Sequence, residues 1–162
     1  MGLWNALVLC YFATHIPATL IIDAQAALPS LGVAHPAWAR AFLDWYCKQY
    51  ADPCMCTRPA WFTAIVWVEV LIQLPFFFAV LWAWPRRAAW LRVAMVAYGA
   101  HVATTLVPIY GALFAAPLRP DQLYFLVSIY APYLLVPLAL LYYGARDQLF
   151  ETKAAVAVTK RS

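Results

Sequence analysis

The sequence predicts an all-α integral membrane protein: a four-transmembrane-helix bundle with proline-kinked spans and short interfacial helices between spans 1 and 2. Three observations predict it. Of 162 residues, 66% are hydrophobic and only 11% charged, with a mean hydropathy of +0.72, whereas a soluble domain is about half apolar and about a quarter charged. The apolar residues fall into four runs, each at least the roughly 20 residues that cross about 30 Å of hydrocarbon as a helix. The 11 Lys and Arg, against 7 Asp and Glu, sit at the ends of those runs rather than on a polar face, which excludes nucleic acid as a partner.

The first run, Met1 to Ile22, has no charged side chain, and its apolar character continues past Asp23 to Leu28. It is too long for a signal-peptide core and contains His15 and Pro17, so it reads as a retained helix. The segment from Pro29 to Pro59 places Trp38, Phe42, Trp45, Tyr46 and Tyr50 at helical spacings of three and four. It predicts one or two short amphipathic helices at the interface, where aromatic rings are favoured, or alternatively a lid over a cavity. Trp61 to Trp84 is the second span and holds one charge, Glu69; Val93 to Leu118 and Gln122 to Ala145 hold none. Residues 1–146 form the transmembrane domain and residues 147–162 a cytoplasmic tail without an apolar face, expected to be disordered.

Seven Lys and Arg (Arg86, Arg87, Arg92, Arg146, Lys153, Lys160, Arg161) fall on the side of the termini and four (Arg40, Lys48, Arg58, Arg119) on the other. The positive-inside bias then places both termini in the cytoplasm and the remaining loops in a lumen. Each span carries proline (Pro17, Pro75, Pro108, Pro132 with Pro137), which disturbs the carbonyl four residues earlier and splays a bundle so as to open a cavity. Cys47, Cys54 and Cys56 share one loop. Too few ligands stand near them for a structural zinc site, so no metal is expected. Free thiols are the favoured state, with a disulfide from Cys47 to Cys54 or Cys56 as the alternative if the loop faces an oxidising lumen.

Ionisable groups inside spans cost about 2.5 to 3.5 kcal/mol each, face bundle interiors and serve a function. Here they are His15, Asp23, Glu69 and His101. Asp23 lies roughly 8 Å and Glu69 roughly 12 Å in from the lumenal ends of their helices. Steps of four put His15, Thr19 and Asp23 on one face and Glu69 and Gln73 on another. By depth His101, Thr104, Thr105, Tyr130 and Tyr133 reach the same level. Two neighbouring carboxyls in a low-dielectric site share one proton and carry about one negative charge. Flanked by aromatic rings, such a pair suits a lipophilic cation, or a carbocation-like transition state on a sterol double bond.

Several stretches are familiar in order: Tyr11 to Asp23 with Gln25-Ala26-Ala27-Leu28-Pro29, Pro59-Ala60-Trp61-Phe62 leading to Glu69 and Gln73-Leu74-Pro75-Phe76-Phe77, His101 with Thr104 to Ile109, and Val127 to Leu135. From Tyr11 to about Leu141 the chain resembles the EXPERA-domain family, which includes the emopamil-binding sterol isomerase, and within it the receptor branch. The resemblance implies a four-helix endoplasmic-reticulum protein, found also in the nuclear envelope and lysosomal membranes. Its buried cavity would take cationic amphiphilic small molecules and oxysterol or cholesterol, in the service of cholesterol homeostasis and without a cofactor. It implies that Asp23 pairs with the ligand amine and Glu69 shares its proton. Gln73, Thr105, Tyr98, Tyr130 and Tyr133 match pocket positions, with His15, Ile22, Trp45, Tyr46 and Leu106 lining them and Asp52 and His101 in support. A homodimer is implied too, for which Gly99 and Ala103 offer a small-residue pair, and a Niemann–Pick type C cholesterol transporter is an implied partner. The departures are the three loop cysteines, the absence of a paired-lysine retrieval signal near Ser162, and Ile65 where the isomerase has a histidine four residues before its catalytic glutamate. The last argues against the alternative, a sterol Δ8–Δ7 isomerase in which Glu69 and His101 exchange protons.

Overall fold

A computed structural model describes residues 2–146 and 148–150, and its regular structure is entirely helical among them. Helix α1 covers Leu3–Ile21 and runs into 3-10 turns at Asp23–Ala26 and Leu28–Leu31. Helix α2 is Ala37–Tyr50. Helix α3, Ala60–Val68, widens into a π turn at Glu69–Gln73 and continues as α4, Leu74–Ala83, with a 3-10 turn at Trp84–Arg86. Helices α5, Leu91–Ala115, and α6, Pro120–Ala145, complete the chain's bundle. Four stretches, Leu3–Ala26, Ala60–Arg86, Leu91–Ala115 and Pro120–Ala145, are long and apolar enough to cross a membrane.

Prolines mark where helices begin. Pro36 and Pro59 cap α2 and α3 in extended conformation, and Pro120 opens α6, where a missing N–H is no loss because the first N–H groups of a helix have no intrahelical partner. Inside the spans, helix continues through Pro17, Pro108, Pro132 and Pro137. Pro75 behaves differently. A proline disturbs the carbonyl four residues before it, here Leu71, and that residue sits in the middle of the π turn, which closes with the Leu74 N–H donating to the Glu69 carbonyl. The wide turn absorbs the proline and places Glu69 and Gln73 on its two ends.

The near-termini end of the bundle is tightly packed. A Cβ on Gly99 would lie 2.4 Å from the Pro137 carbonyl oxygen and 2.8 Å from Leu141 Cβ, and one on Gly144 would lie 2.9 Å from Val96 Cγ2, so α5 and α6 meet backbone to backbone. Gly99 is therefore engaged inside the chain rather than presented for a partner. Around this contact Phe12, Phe77 and Tyr98 form an interlocked aromatic set with centroids 5.3 to 6.0 Å apart. Trp84 is buried, donates to Asn5 Oδ1 at 3.3 Å and packs against Phe150 at 4.9 Å. Leu149 and Phe150 thus pack on the bundle; the rest of the tail expected to be disordered, residues 151–162, and residue 147 lie outside the described residues.

Helix α2 packs across the other end. Its Ala39 and Leu43 are buried, while Trp38, Phe42 and Trp45 are exposed along one edge. On a further side Arg40, Asp44 and Arg58 line a polar depression of about 690 Å³. Apolar edge, buried seam and charged face together describe a helix lying at a membrane surface.

Candidate functional site

Between α2 and the four spans lies a cavity of about 350 Å³, inside the usual range for small-molecule sites of roughly 300–1,000 Å³. Helix α1 contributes His15 and, just past its end, Ile22 and Asp23; α2 contributes Trp45 and Tyr46; the π turn contributes Glu69 and Gln73. Thr105 and Leu106 come from α5, and Tyr130 and Tyr133 from α6. Eleven of the candidate site residues named from the sequence therefore meet around one space. Its remaining wall is apolar or aromatic, including Phe42, Tyr50, Phe62, Ile65 and Phe125.

The two carboxyls are held differently. Glu69 Oε1 accepts a hydrogen bond from the Thr19 hydroxyl at 2.5 Å and lies 3.5 Å from His15 Nε2. His15 is fixed in turn by stacking on Phe77 at 4.6 Å and by the edge of Tyr133 at 4.7 Å, and its buried Nδ1 has no hydrogen-bond partner among the described residues. Asp23 follows the end of α1, where the helix tightens into a 3-10 turn. Its side chain takes no hydrogen bond among the described residues and borders the cavity. No hydrogen bond joins Asp23 to Glu69, so the direct carboxyl-to-carboxyl bond expected from the sequence is replaced by the Thr19 and His15 contacts.

Asp52 lies behind the wall rather than in it. It is fully buried; its Oδ2 accepts from the hydroxyls of Tyr46 at 2.8 Å and Tyr130 at 2.9 Å, and its Oδ1 accepts from the backbone N–H groups of Cys54 at 2.7 Å and Met55 at 3.2 Å. One carboxylate thereby fastens α2, the loop after it and α6. Burial and the Asp52 charge push the Tyr46 hydroxyl's pKa well above its ordinary value, keeping it a donor. The end of α2 is also fixed by Gln122 Nε2, which donates to the Gln49 carbonyl at 2.8 Å, and by Tyr50 stacked on Phe125 at 3.8 Å.

Two expected residues fall elsewhere. Tyr98 lies beneath the cavity floor, its hydroxyl sharing a 2.9 Å hydrogen bond with that of Tyr11. His101 is exposed on the outer surface of α5: depth along the helix placed it at the right level, but on the wrong face. The favoured free-thiol state of the loop is corrected too. Cys47 and Cys56 form a disulfide with a Cα separation of 5.6 Å, leaving Cys54 free and buried. The spacing alone allowed either pairing; Cys54 turns inward because its N–H serves Asp52. Among the described residues no cluster of His, Cys, Asp or Glu could hold a metal.

Val66, one helical turn before Glu69, went unremarked in the sequence, as did the place of Phe62 and Ile65 in the cavity wall, although the spacings of three and four that link Phe62, Ile65, Val66 and Glu69 mark one face. Comparison with known proteins places this geometry. The model of EXPERA, the expanded EBP superfamily, matches residues 38–144. Sigma intracellular receptor 2 of Homo sapiens is 36% identical over 154 residues, covering 87% of this chain and 86% of that protein. The protein of the same name from Xenopus tropicalis is 40% identical over 141 residues, covering 81% of each. Efficient mitochondria targeting-associated protein 19 of Schizosaccharomyces pombe is 31% identical over 137 residues, covering 79% of this chain and 67% of its own length.

Proposed function

The chain belongs to the EXPERA family, and from that premise we propose that it is a membrane receptor whose cavity binds cationic amphiphilic molecules and hydroxylated sterols. The observation that carries this reading is the unequal state of two carboxyls in one greasy space. Glu69 is occupied by Thr19 and His15, whereas Asp23 borders the cavity without a hydrogen-bond partner among the described residues. Asp23 is thus the group left to meet a ligand ammonium, with Trp45, Tyr46, Tyr130 and Tyr133 supplying ring faces for cation–π contact. Glu69 and Gln73 serve a sterol hydroxyl equally well, as acceptor and donor.

The receptor sits in the endoplasmic-reticulum membrane with both termini cytoplasmic and takes part in cholesterol homeostasis. The receptor names of the relatives support this class, and the Cys47–Cys56 disulfide supports placing the α2 loop in an oxidising lumen. A homodimer and a cholesterol-transporter partner belong to the same reading. Its test is the pH profile of amine binding to the full chain in nanodiscs. Acid neutralises the carboxylates while the amine stays charged, so binding holds at neutral pH and is lost toward strongly acidic pH. A flat profile over that range contradicts an ion pair in the cavity.

One observation favours a second reading. The 3.5 Å approach of His15 Nε2 to Glu69 Oε1 forms an acid–base pair in contact with the cavity, suited to moving a proton between neighbouring carbons of a sterol double bond. In that reading His15 takes the place that the sequence suggested for His101. Turnover of a Δ8-sterol by the wild type, abolished in Glu69→Gln, would establish it; no turnover by protein that still binds an amine would remove it.

A further inference from the structure

The loop behind the cavity is held in a conformation that its own residues do not favour. It starts at Ala51 (φ 50°) and closes at Arg58 (φ 49°), both in the left-handed region that non-glycine residues keep only when their surroundings over-determine it. Between them Asp52 makes its four hydrogen bonds, and a disulfide from Cys47 in the last turn of α2 to Cys56 encloses Ala51 and Asp52 in a short covalent ring. Two of the groups that Asp52 holds, Tyr46 and Tyr130, are cavity wall.

We propose that Cys47 and Cys56 are positioning residues for the cavity: their disulfide keeps the Asp52 turn closed, so ligand affinity depends on the redox state of this pair. The inference rests on the ligand-binding reading above and adds to it a control by thiols. Reduction needs a thiol reductant. One thiolate attacks a sulfur of the pair and forms a mixed disulfide; a second thiol releases the reductant as its own disulfide. The pair gains two electrons and two protons and becomes two Cys thiols.

Both cysteines are half-buried and within reach of a small reductant. Cys54, two residues away, does not replace either of them. Exchange requires a thiolate, and burial together with the Asp52 charge pushes the Cys54 thiol up to about 12. The three cysteines therefore divide into a reducible pair and a buried thiol. In the reduced chain the left-handed hinge at Ala51 is free to relax, and the wall carrying Tyr46 opens and closes. A wall closed about a tenth of the time lowers apparent affinity about tenfold.

The test uses the full chain in nanodiscs with tritiated imipramine, a cationic amphiphile, as probe. Dithiothreitol should weaken binding about tenfold and speed dissociation, reoxidation should restore both, and a Cys47→Ser/Cys56→Ser variant should bind like the reduced protein in either condition. Cys54→Ala should respond like wild type. Iodoacetamide labelling read by mass spectrometry supplies a measure independent of the probe: Cys54 stays protected in the oxidised protein and becomes labelled after reduction or in the double variant. Unchanged affinity on reduction overturns the proposal, as does a lowered melting temperature with affinity intact, which would make the pair structural only. Cys54 remaining protected in reduced protein overturns it as well. Oxidised wild type that fails to bind imipramine, with Cys54 labelling still redox-dependent, would defeat the ligand-binding reading and the affinity claim with it, leaving only a redox-sensitive loop.

Discussion

The two ends of this bundle are built from the same four spans and have opposite characters. Toward the termini, Gly99 and Gly144 let α5 and α6 touch through their backbones, and Phe12, Phe77 and Tyr98 fill the space beside them. Toward α2, the same helices part around a cavity whose wall holds Asp23, Glu69 and Gln73. Packing carries the first end. Hydrogen bonds and a covalent tie carry the second, through Asp52, Gln122 and the Cys47–Cys56 disulfide. The difference shows how a small membrane protein keeps an open site: it concentrates close packing at one end so that the other can hold polar groups apart.

Substitutions at the two ends should separate stability from binding. Gly99→Leu forces side-chain atoms into a place where a Cβ already meets a backbone carbonyl, and should destabilise the bundle by about 3 kcal/mol, the upper part of the range for overpacking. Thermal denaturation followed by circular dichroism checks it. Asp52→Asn keeps the shape but replaces a charged acceptor of four hydrogen bonds, and should cost about 2 kcal/mol. Here the loss should appear mainly as weaker amine binding, since the groups released are cavity wall. Tyr46→Phe removes one of those bonds and should weaken binding by about 1 kcal/mol.

Smaller effects sharpen the contrast further. Gly111 lies on the same helix as Gly99, but a Cβ there meets nothing within 4 Å, so Gly111→Ala should leave stability unchanged or raise it by up to about 1 kcal/mol through helix propensity. A loss as large as that of Gly99→Leu would erase the distinction between the ends. Cys54 keeps its proton in the folded chain up to about pH 12, whereas an ordinary thiol releases it near 9. Its contribution is therefore fully present below pH 9 and is lost as pH rises from 9 toward 12. Melting temperatures over that window should fall less steeply in Cys54→Ala than in wild type.

Much of this was legible in the sequence because hydropathy and helical depth are one-dimensional quantities. The four spans, the amphipathic α2 and the shared level of Asp23 and Glu69 all follow from counting along the chain. Azimuth does not. His101 and Thr104 lie at the depth of the cavity yet face outward from α5, while Thr105 and Leu106 face in. Tyr98 points inward but sits below the floor, among the packed rings of the tight end. Pro75 signalled a disturbance without showing that a π turn would absorb it. The disulfide partner was hidden for a similar reason, because the inward turn of Cys54 depends on hydrogen bonds to Asp52 that spacing does not encode.

The central claim is that Asp23 is the carboxylate that meets a ligand cation. It is tested most directly by equilibrium binding of tritiated imipramine to wild type and Asp23→Asn in nanodiscs, with melting temperature as the check on folding. Affinity lower by about 2 to 5 kcal/mol, the range for truncating one partner of a buried charge pair, is the predicted result. Unchanged affinity in a folded variant would contradict it.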